Sequence, residues 1–363
     1  MKKEIPSKPK VLILYNKLFH YRIPIWNLLA NECELTVAYS YPAKEEDIKL
    51  CDFKTLYLPV VEIGRFVIHK ENIYKLAKGF DVVICYEQAS YLKYSSLAFR
   101  KSRPFKLIYW SLGAPASYKR KYGEANWFYY FVEDNIIKRG DAYVVYTPYA
   151  KQLGKNRGYN SDGIFVANNT VKVIREEYSS KGRENILFIG TLYLEKGLSQ
   201  LLFSYKDAFQ QNTAVPKLQI IGGGDEYEQI KKWINDNGLA EKIVMMGPIY
   251  NEEKKAELFA HAIACISPLQ AGLSVLESMG YGVPYITSEN AITGGEAFNI
   301  EHNVSGLRYP EDTKLTDVLL DITLCPEKYL SMGMKAYNHY WTNCTPEIMA
   351  SGLQQSIEFV LNK

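Results

Sequence analysis

Apolar residues in this chain gather in short continuous runs. Positions 11–15, 35–39, 53–58, 82–85, 107–110 and 142–146 are such runs, rich in β-branched and aromatic residues. Stretches with helical spacing lie between them, at 23–30, 72–78 and 127–138. A strand that is apolar throughout is covered on both faces, so this half is predicted to be a parallel sheet flanked by helices. A polar stretch at 168–184 breaks the pattern, and strands are predicted again at 186–190, 218–222, 243–246, 262–267 and 285–287. Two helical stretches, 326–341 and 346–361, follow with no strand after them. The predicted fold class is α/β, with two doubly wound Rossmann-like domains, 1–170 and 185–345, and a linker over 171–184. Two such domains in tandem are expected to leave a cleft facing the carboxyl ends of their strands, where ligands bind.

Composition removes several classes. The chain has 363 residues, 47% hydrophobic and 23% charged, with 29 Tyr, 15 Phe and 5 Trp, which excludes a disordered or fibrous protein. No run of 18 apolar residues occurs, and the segment MKKEIPSKPK has charges but no apolar core, so neither a membrane span nor a secretory signal is expected. Six cysteines are scattered without a C-x-x-C pair, and Cys85 and Cys265 lie inside apolar runs. They read as small core hydrophobes in a reduced, cytoplasmic protein, with neither a disulfide framework nor a zinc site. Charge is uneven: residues 1–180 carry 28 Lys and Arg against 18 Asp and Glu, and residues 181–363 carry 15 against 22. A basic first half and an acidic second half suit two domains that face different partners, although solvated faces that differ by chance would look the same.

Three predicted strand-to-helix junctions in the second half hold candidate chemistry. In the first, a strand ends at Gly190 and a helix is expected to begin near Lys196-Gly197. A lysine at a helix start opposes the macrodipole, and an anion held by Lys196 and backbone N–H groups would account for it; a solvated loop lysine is the plain alternative. In the second, Gly222, Gly223 and Gly224 follow a strand and allow close backbone approach to a ligand, or simply a tight turn. They do not fit G-x-G-x-x-G, so a dinucleotide site is not supported. In the third, Gly272 and Leu273 would offer N–H groups at a helix start, and Glu277 one turn on could accept both hydrogen bonds of a ribose diol. Ser274-x-x-Glu277 is equally a capping box.

In this order and spacing, the junctions resemble those of retaining GT-B glycosyltransferases, the large bacterial class of nucleotide-sugar transferases of family 4 type. The residues that carry the likeness are Gly190-Thr191-Leu192, Lys196-Gly197, Ile220-Ile221-Gly222-Gly223-Gly224-Asp225, Met246-Gly247-Pro248-Ile249, Ser267-Pro268, Gly272-Leu273, Glu277 and Gly282-Val283-Pro284. Phe19-His20-Tyr21-Arg22-Ile23-Pro24 and Tyr109-Trp110-Ser111-Leu112-Gly113 resemble segments of polysaccharide-locus members, and Val166-Ala167-Asn168-Asn169-Thr170 resembles the family's strand end just before the interdomain linker. The resemblance implies a GT-B fold in which the last helix, 346–363, packs back on the first domain. It implies that Lys196 contacts the donor diphosphate and that Gly247, Pro248, Ile249 and Tyr250 hold the nucleobase edge. Glu277 would hold the ribose, and Gly272 and Leu273 the phosphates, with Gly190, Thr191, Gly222, Gly223, Gln270, Ala271 and Ser274 lining the donor site. Lys196 and Glu277 are the residues it marks as catalytic. Tyr21, Arg22, Ser111, Leu112 and Gly113 would face the acceptor.

Three positions depart from the family. Thr191 stands where Arg is frequent, Leu269 where a Glu often lies eight positions before Glu277, and Leu112 where His often precedes the glycine. Lys196 is then the one obvious cation for the leaving diphosphate, and Gln270 is a candidate for the lost polar contacts to the sugar.

The implied reaction retains anomeric configuration, with the departing phosphate helping to remove the acceptor proton, so orientation and charge stabilisation carry catalysis. No D-x-D motif and no clustered ligands occur, so neither metal nor cofactor is expected, and the nucleotide-diphosphate sugar is the substrate. The acceptor is expected to be a glycan or lipid-linked saccharide in surface polysaccharide synthesis, bound by the basic first domain, with Arg22 pointing to the cleft. Tyr118 to Tyr122 and Trp127 to Phe131 form a basic and aromatic cluster that suits peripheral contact with an anionic inner membrane, although helix packing explains the aromatics too. Nucleic acid is not expected, since no recognition motif accompanies the charge. The alternatives are a GT-B protein that binds without transferring, because of the three departures, and a nucleotide-sugar epimerase on the same fold.

Overall fold

The computed structural model describes residues 8–86, 88–116 and 121–363. They form two units: one made of the residues up to 115, 123–169 and 346–363, the other of 116–122 and 170–345.

Among the described residues the first unit has nine strands: β1 (Lys10–Tyr15), β2 (Glu34–Tyr39), β3 (Lys54–Tyr57), β4 (Val60–Ile63), β5 (Phe66–His69), β6 (Val82–Tyr86), β7 (Lys106–Trp110), β8 (Ala142–Val145) and β9 (Ile164–Val166). Seven make a sheet in the order β3-β2-β1-β6-β7-β8-β9, and every pairing in it is parallel. The order reverses between β1 and β6, which marks the place where doubly wound domains hold ligands at the carboxyl edge. Tyr15, Tyr39 and Tyr57 are register partners at that edge, as are Tyr86 and Trp110, so an aromatic row crosses it. β4 and β5 form a separate antiparallel hairpin around Gly64, at φ +57°. Its alternation is short and half polar, and the sequence pattern does not disclose it.

The helix Pro346–Leu361 belongs to this first unit. Met349, Leu353, Ile357 and Val360, all buried, lie at helical spacing and join the core under β1, β6, β7 and β8. Gly352 lets it approach the sheet, since a Cβ there would lie 2.3 Å from the carbonyl oxygen of Val166. Arg22 pins the helix from the other side: Nη1 lies 3.1 Å from Met349 Sδ, and Nη2 donates to Tyr146 Oη at 2.8 Å.

The second unit carries β10 (Asn185–Ile189), β11 (Leu218–Ile221), β12 (Ile243–Gly247), β13 (Ala262–Ile266), β14 (Gln270–Ala271), β15 (Tyr285–Ser288), β16 (Ile292–Thr293) and β17 (Gly306–Tyr309). Its main sheet has the order β12-β11-β10-β13-β15-β17, again all parallel, with the reversal between β10 and β13. β14 and β16 pair apart from it. Residues 171–184 are built into this unit: Val173 is buried in its core, and Arg183 donates to the carbonyls of Phe259, Ala262 and Tyr281 at 3.0–3.2 Å. Lys121 and Tyr122 also belong here, through a hydrogen bond from Lys121 Nζ to Asn290 Oδ1 (2.7 Å) and a ring contact with Phe298.

The helix-to-sheet contact at Gly352 has a measurable cost if crowded. Gly352→Ala is expected to destabilise the protein by about 1–3 kcal/mol, as overpacking a tight contact does. Ser351→Ala, on the exposed side of the same turn, should stay within about 0.5 kcal/mol of the parent. Urea unfolding of both variants checks the difference.

Candidate functional site

In the second unit the order reversal puts the loops after β10 and β13 side by side, and both carry the residues singled out from the sequence. β10 ends into Gly190, whose φ of +147° suits glycine. A single 3-10 turn, Leu194–Lys196, follows, and then Gly197 at φ +72° caps the helix Leu198–Gln211. Lys196 therefore stands just ahead of the helix, on the turn that precedes it. Its side chain folds back over Gly190, where a Cβ would lie 3.0 Å from Nζ. Lys196 is 7% exposed and makes no ion pair among the described residues. Burial pushes its pKa down to about 8, opposed by the charges of Cys265 and Glu296. Buried, cationic and without a carboxylate on it, Lys196 is poised for an anion.

Glycines 222 and 224 have a use that the sequence reading does not give them. A Cβ on Gly222 would lie 1.9 Å from the carbonyl oxygen of Gly190, and one on Gly224 would lie 2.4 Å from that of Leu192. The close approach they permit is between the two loops. Hydrogen bonds from Gly190 N to Ile221 O, Leu192 N to Gly223 O and Gly222 N to Gly247 O (2.9–3.0 Å) lace the three loops after β10, β11 and β12 together. Gly223 rests near Pro248, Gly247 has open space around it at φ +70°, and Tyr250 is fully out in solvent, with Ile249 packed at the core margin. Thr191 is exposed at the rim.

After β13 the chain runs Ser267, Pro268, Leu269 and then β14. Leu269 packs on Gly197, where a Cβ would meet its Cγ at 2.5 Å, so an apolar contact occupies the position where the resembled family often has Glu. Gln270 Oε1 accepts from Tyr193 Oη at 2.5 Å, which ties the two loops. Ala271 is buried, and Gly272, with open space around it, is the N-cap of the helix Leu273–Gly280, which has no acidic residue in its first turn. The first N–H groups of a helix lack intrahelical acceptors and, with the macrodipole, favour an anion.

The capping box is not formed. Gly272 holds the cap position, Ser274 Oγ pairs with Tyr285 Oη at 2.9 Å, and Glu277 lies a turn further in. Glu277 instead meets Lys255, whose Nζ donates to its Oε1 at 2.7 Å and lies 2.8 Å from Glu252 Oε1. Burial lowers the proton affinity of Lys255, and Glu277 and Glu252 more than offset that, so its pKa ends raised. Sequence reading missed Lys255; the signal was a lysine on the same helical face as Phe259, four residues on, where an apolar residue is expected. The charges of Lys196 and Glu277 both reach the buried thiol of Cys265 near the carboxyl end of β13.

In the first unit the anticipated acceptor residues gather at the carboxyl edge, with a correction for Arg22. Its guanidinium is 2% exposed, enclosed by the rings of Tyr21, Trp110 and Tyr146 at 5.1–5.4 Å. It does not point to open space, because its bonds to Tyr146 and Met349 draw it inward. Tyr21 stays half-buried and stacks on Phe19. Ser111 Oγ pairs with Tyr143 Oη (2.7 Å) and accepts from Gly113 N (3.0 Å). Leu112 packs at the edge of the core, and Gly113, at φ +87°, presses on Ala150. The helix Trp127–Ile137 leaves Trp127, Phe128 and Phe131 outside, 78%, 56% and 59% exposed, so core packing does not account for these three. Tyr118, Lys119 and Arg120 lie outside the described residues.

Among the described residues no helix is long and apolar enough to cross a membrane. The family model described as glycosyl transferases group 1 matches residues 171–339. The GDP-mannose-dependent alpha-(1-6)-phosphatidylinositol monomannoside mannosyltransferase of Mycobacterium tuberculosis is 24% identical over 174 residues, 44% of this chain. That match spans about 43% of the relative's length. Among solved structures, Anabaena Alr3699/HepE in complex with UDP aligns over 96% of this chain and 99% of its own, at 13% identity and a TM-score of 0.70. TarM aligns over 98% and 99%, also at 13% identity, with a TM-score of 0.69. The two doubly wound sheets and these structural likenesses together give the chain the GT-B fold of glycosyltransferases, and residues 171–339 match the glycosyl transferases group 1 model.

Proposed function

We propose that this protein is a retaining glycosyltransferase that moves a sugar from a nucleotide-diphosphate donor to a glycan or lipid-linked saccharide in surface polysaccharide synthesis. The observation that carries the reading is Lys196: a buried lysine without a carboxylate partner, at the order reversal of the second unit, beside the bare helix N-terminus at Gly272. Two sources of positive charge at one strand edge suit a departing diphosphate. Glu277, inside the same helix, suits the ribose diol, and the Gly247 to Tyr250 loop suits the base. The charge of Lys196 and the helix end do what a cation would otherwise do, so the reaction is read as needing neither metal nor cofactor. Retention follows from the resemblance, with the leaving phosphate taking the acceptor proton.

The similar proteins support the donor class. The mycobacterial relative is named for GDP-mannose, and the Anabaena structure holds UDP. On the acceptor side, Tyr21 and the aromatic carboxyl edge of the first unit suit a saccharide, with Arg22 acting from behind as a brace. The exposed face of the helix Trp127–Ile137 suits an anionic membrane at the cytoplasmic side. Its acids, Glu133 and Asp134, turn inward to Arg157, while Lys138 and Arg139 stay exposed at its end.

Two predictions follow from these assignments. Diphosphate binding requires protonated Lys196, and its pKa is near 8 instead of 10.5. Affinity for UDP or GDP, whichever binds, is therefore expected to fall as pH rises above about 8, approaching tenfold per unit as linkage to one proton dictates. Lys196→Met should bind weakly with that dependence gone, and calorimetric titrations between pH 6.5 and 9.5 read both. The second concerns the helix: replacing Trp127, Phe128 and Phe131 with alanine should reduce partitioning onto phosphatidylglycerol-containing vesicles by about tenfold or more, given the apolar area removed. Nucleotide binding should be unchanged, and co-sedimentation measures the partitioning.

A further inference from the structure

We infer that Lys255 is a positioning residue that sets nucleotide selectivity, by holding the Glu277 carboxylate in the orientation that reads a ribose diol. The inference rests on the reading of Glu277 as the ribose acceptor. Lys255 lies on the helix Glu252–Ala260, which follows β12, and Glu277 on the helix Leu273–Gly280, which follows β13. Their 2.7 Å contact is a cross-brace between elements 22 residues apart. Glu252, a turn before Lys255 and half exposed, grips the same ammonium at 2.8 Å. Asn251 caps the start of that helix by accepting from Lys254 N (2.7 Å), so the brace stands on a fixed helix end.

Stability alone does not call for this arrangement. Lys255 and Glu277 are both buried, and taking two charges from water is costly; an apolar pair of similar volume is frequently as stable or more so. The helix face of Lys255 is otherwise apolar, with Ala256 and Phe259 in the core, and would accept Met. What the ammonium adds is direction: a carboxylate held through Oε1 loses its torsional freedom, and its acceptor directions are set before a ligand arrives. A diol whose two hydroxyls must meet one carboxylate depends on that direction, whereas a diphosphate or a base does not.

The experiment compares ribo- and 2′-deoxyribonucleotides, using UDP with dUDP and GDP with dGDP, by calorimetry on the full chain. The parent is expected to prefer the ribo form by about tenfold or more, the value of a hydrogen bond to a charged group. Glu277→Gln should lose most of that preference. Lys255→Met should weaken ribonucleotide binding by about tenfold and bring the ratio close to one, with a lowered melting temperature because Glu277 is left buried without its cation, while Lys255→Arg keeps the ratio. If Lys255→Met does not fold, Lys255→Gln gives the same ratio test, since it keeps a donor without the charge and should show a reduced preference. A Lys255→Met or Lys255→Gln protein with the parental ratio, while Glu277→Gln loses it, overturns the role of Lys255 and leaves the ribose reading of Glu277 intact. A Glu277→Gln protein with the parental ratio overturns the ribose reading itself, and the inference with it.

Discussion

Parallel strands impose one constraint on which everything else in this chain depends: the backbone must cross over after each strand and start the next at the same end. All carboxyl ends of a sheet then lie on one edge, and each opens into a loop and a helix N-terminus. Where the strand order reverses, neighbouring crossovers leave in opposite directions and the edge is not roofed. In the second unit this happens between β10 and β13, and it is why the Lys196 turn meets the loop that leads to Gly272, through Leu269 on Gly197 and Gln270 on Tyr193. In the first unit it happens between β1 and β6, where Tyr15 and Tyr86 contact each other at 4.6 Å in the aromatic row.

Close packing then decides how that edge is built. Gly222 and Gly224 bring backbone against backbone, so the loops after β10 and β11 behave as one rigid shelf under Lys196. Leu269 on Gly197 and Gln270 on Tyr193 tie the loop after β13 to the same shelf. Two buried lysines serve it differently. Lys196 keeps its charge unspent, and burial lowers its proton affinity; Lys255 spends its charge on two carboxylates, which raises it. One is available to an incoming anion and the other to an internal carboxylate. Thr191 and Leu269 stand where the resembled family often has an arginine and a carboxylate, and of the two buried lysines Lys196 is the one without an ion pair among the described residues.

The fold was largely legible because its signal is local. Continuous apolar runs such as 11–15 and 262–266 can be read from consecutive residues, and both are interior strands of parallel sheets covered on both faces. Elements with weak local signals escaped: the half-polar hairpin of β4 and β5 and the four-residue β17, while the three-residue β9 showed only as the strand end at Val166 that the family resemblance marks. The polar look of 171–184 hid Val173 and Arg183, whose partners lie in helices and strands about a hundred residues on. The capping box failed in a similar way: Ser274 and Glu277 have the right spacing, but Gly272 takes the cap and each side chain finds a distant partner.

By itself the sequence determined the alternation of strands and helices, the parallel character of both sheets, and the glycine and lysine positions at the strand ends. These depend on side-chain periodicity, which is a property of neighbours along the chain. Tertiary structure alone decided that Arg22 faces inward to Met349, 327 residues away, that Lys255 holds Glu277, and that Gly222 serves Gly190. Burial, charge pairing and close approach are relations between elements that crossovers bring together, and no periodicity within one element encodes its partner across the sheet.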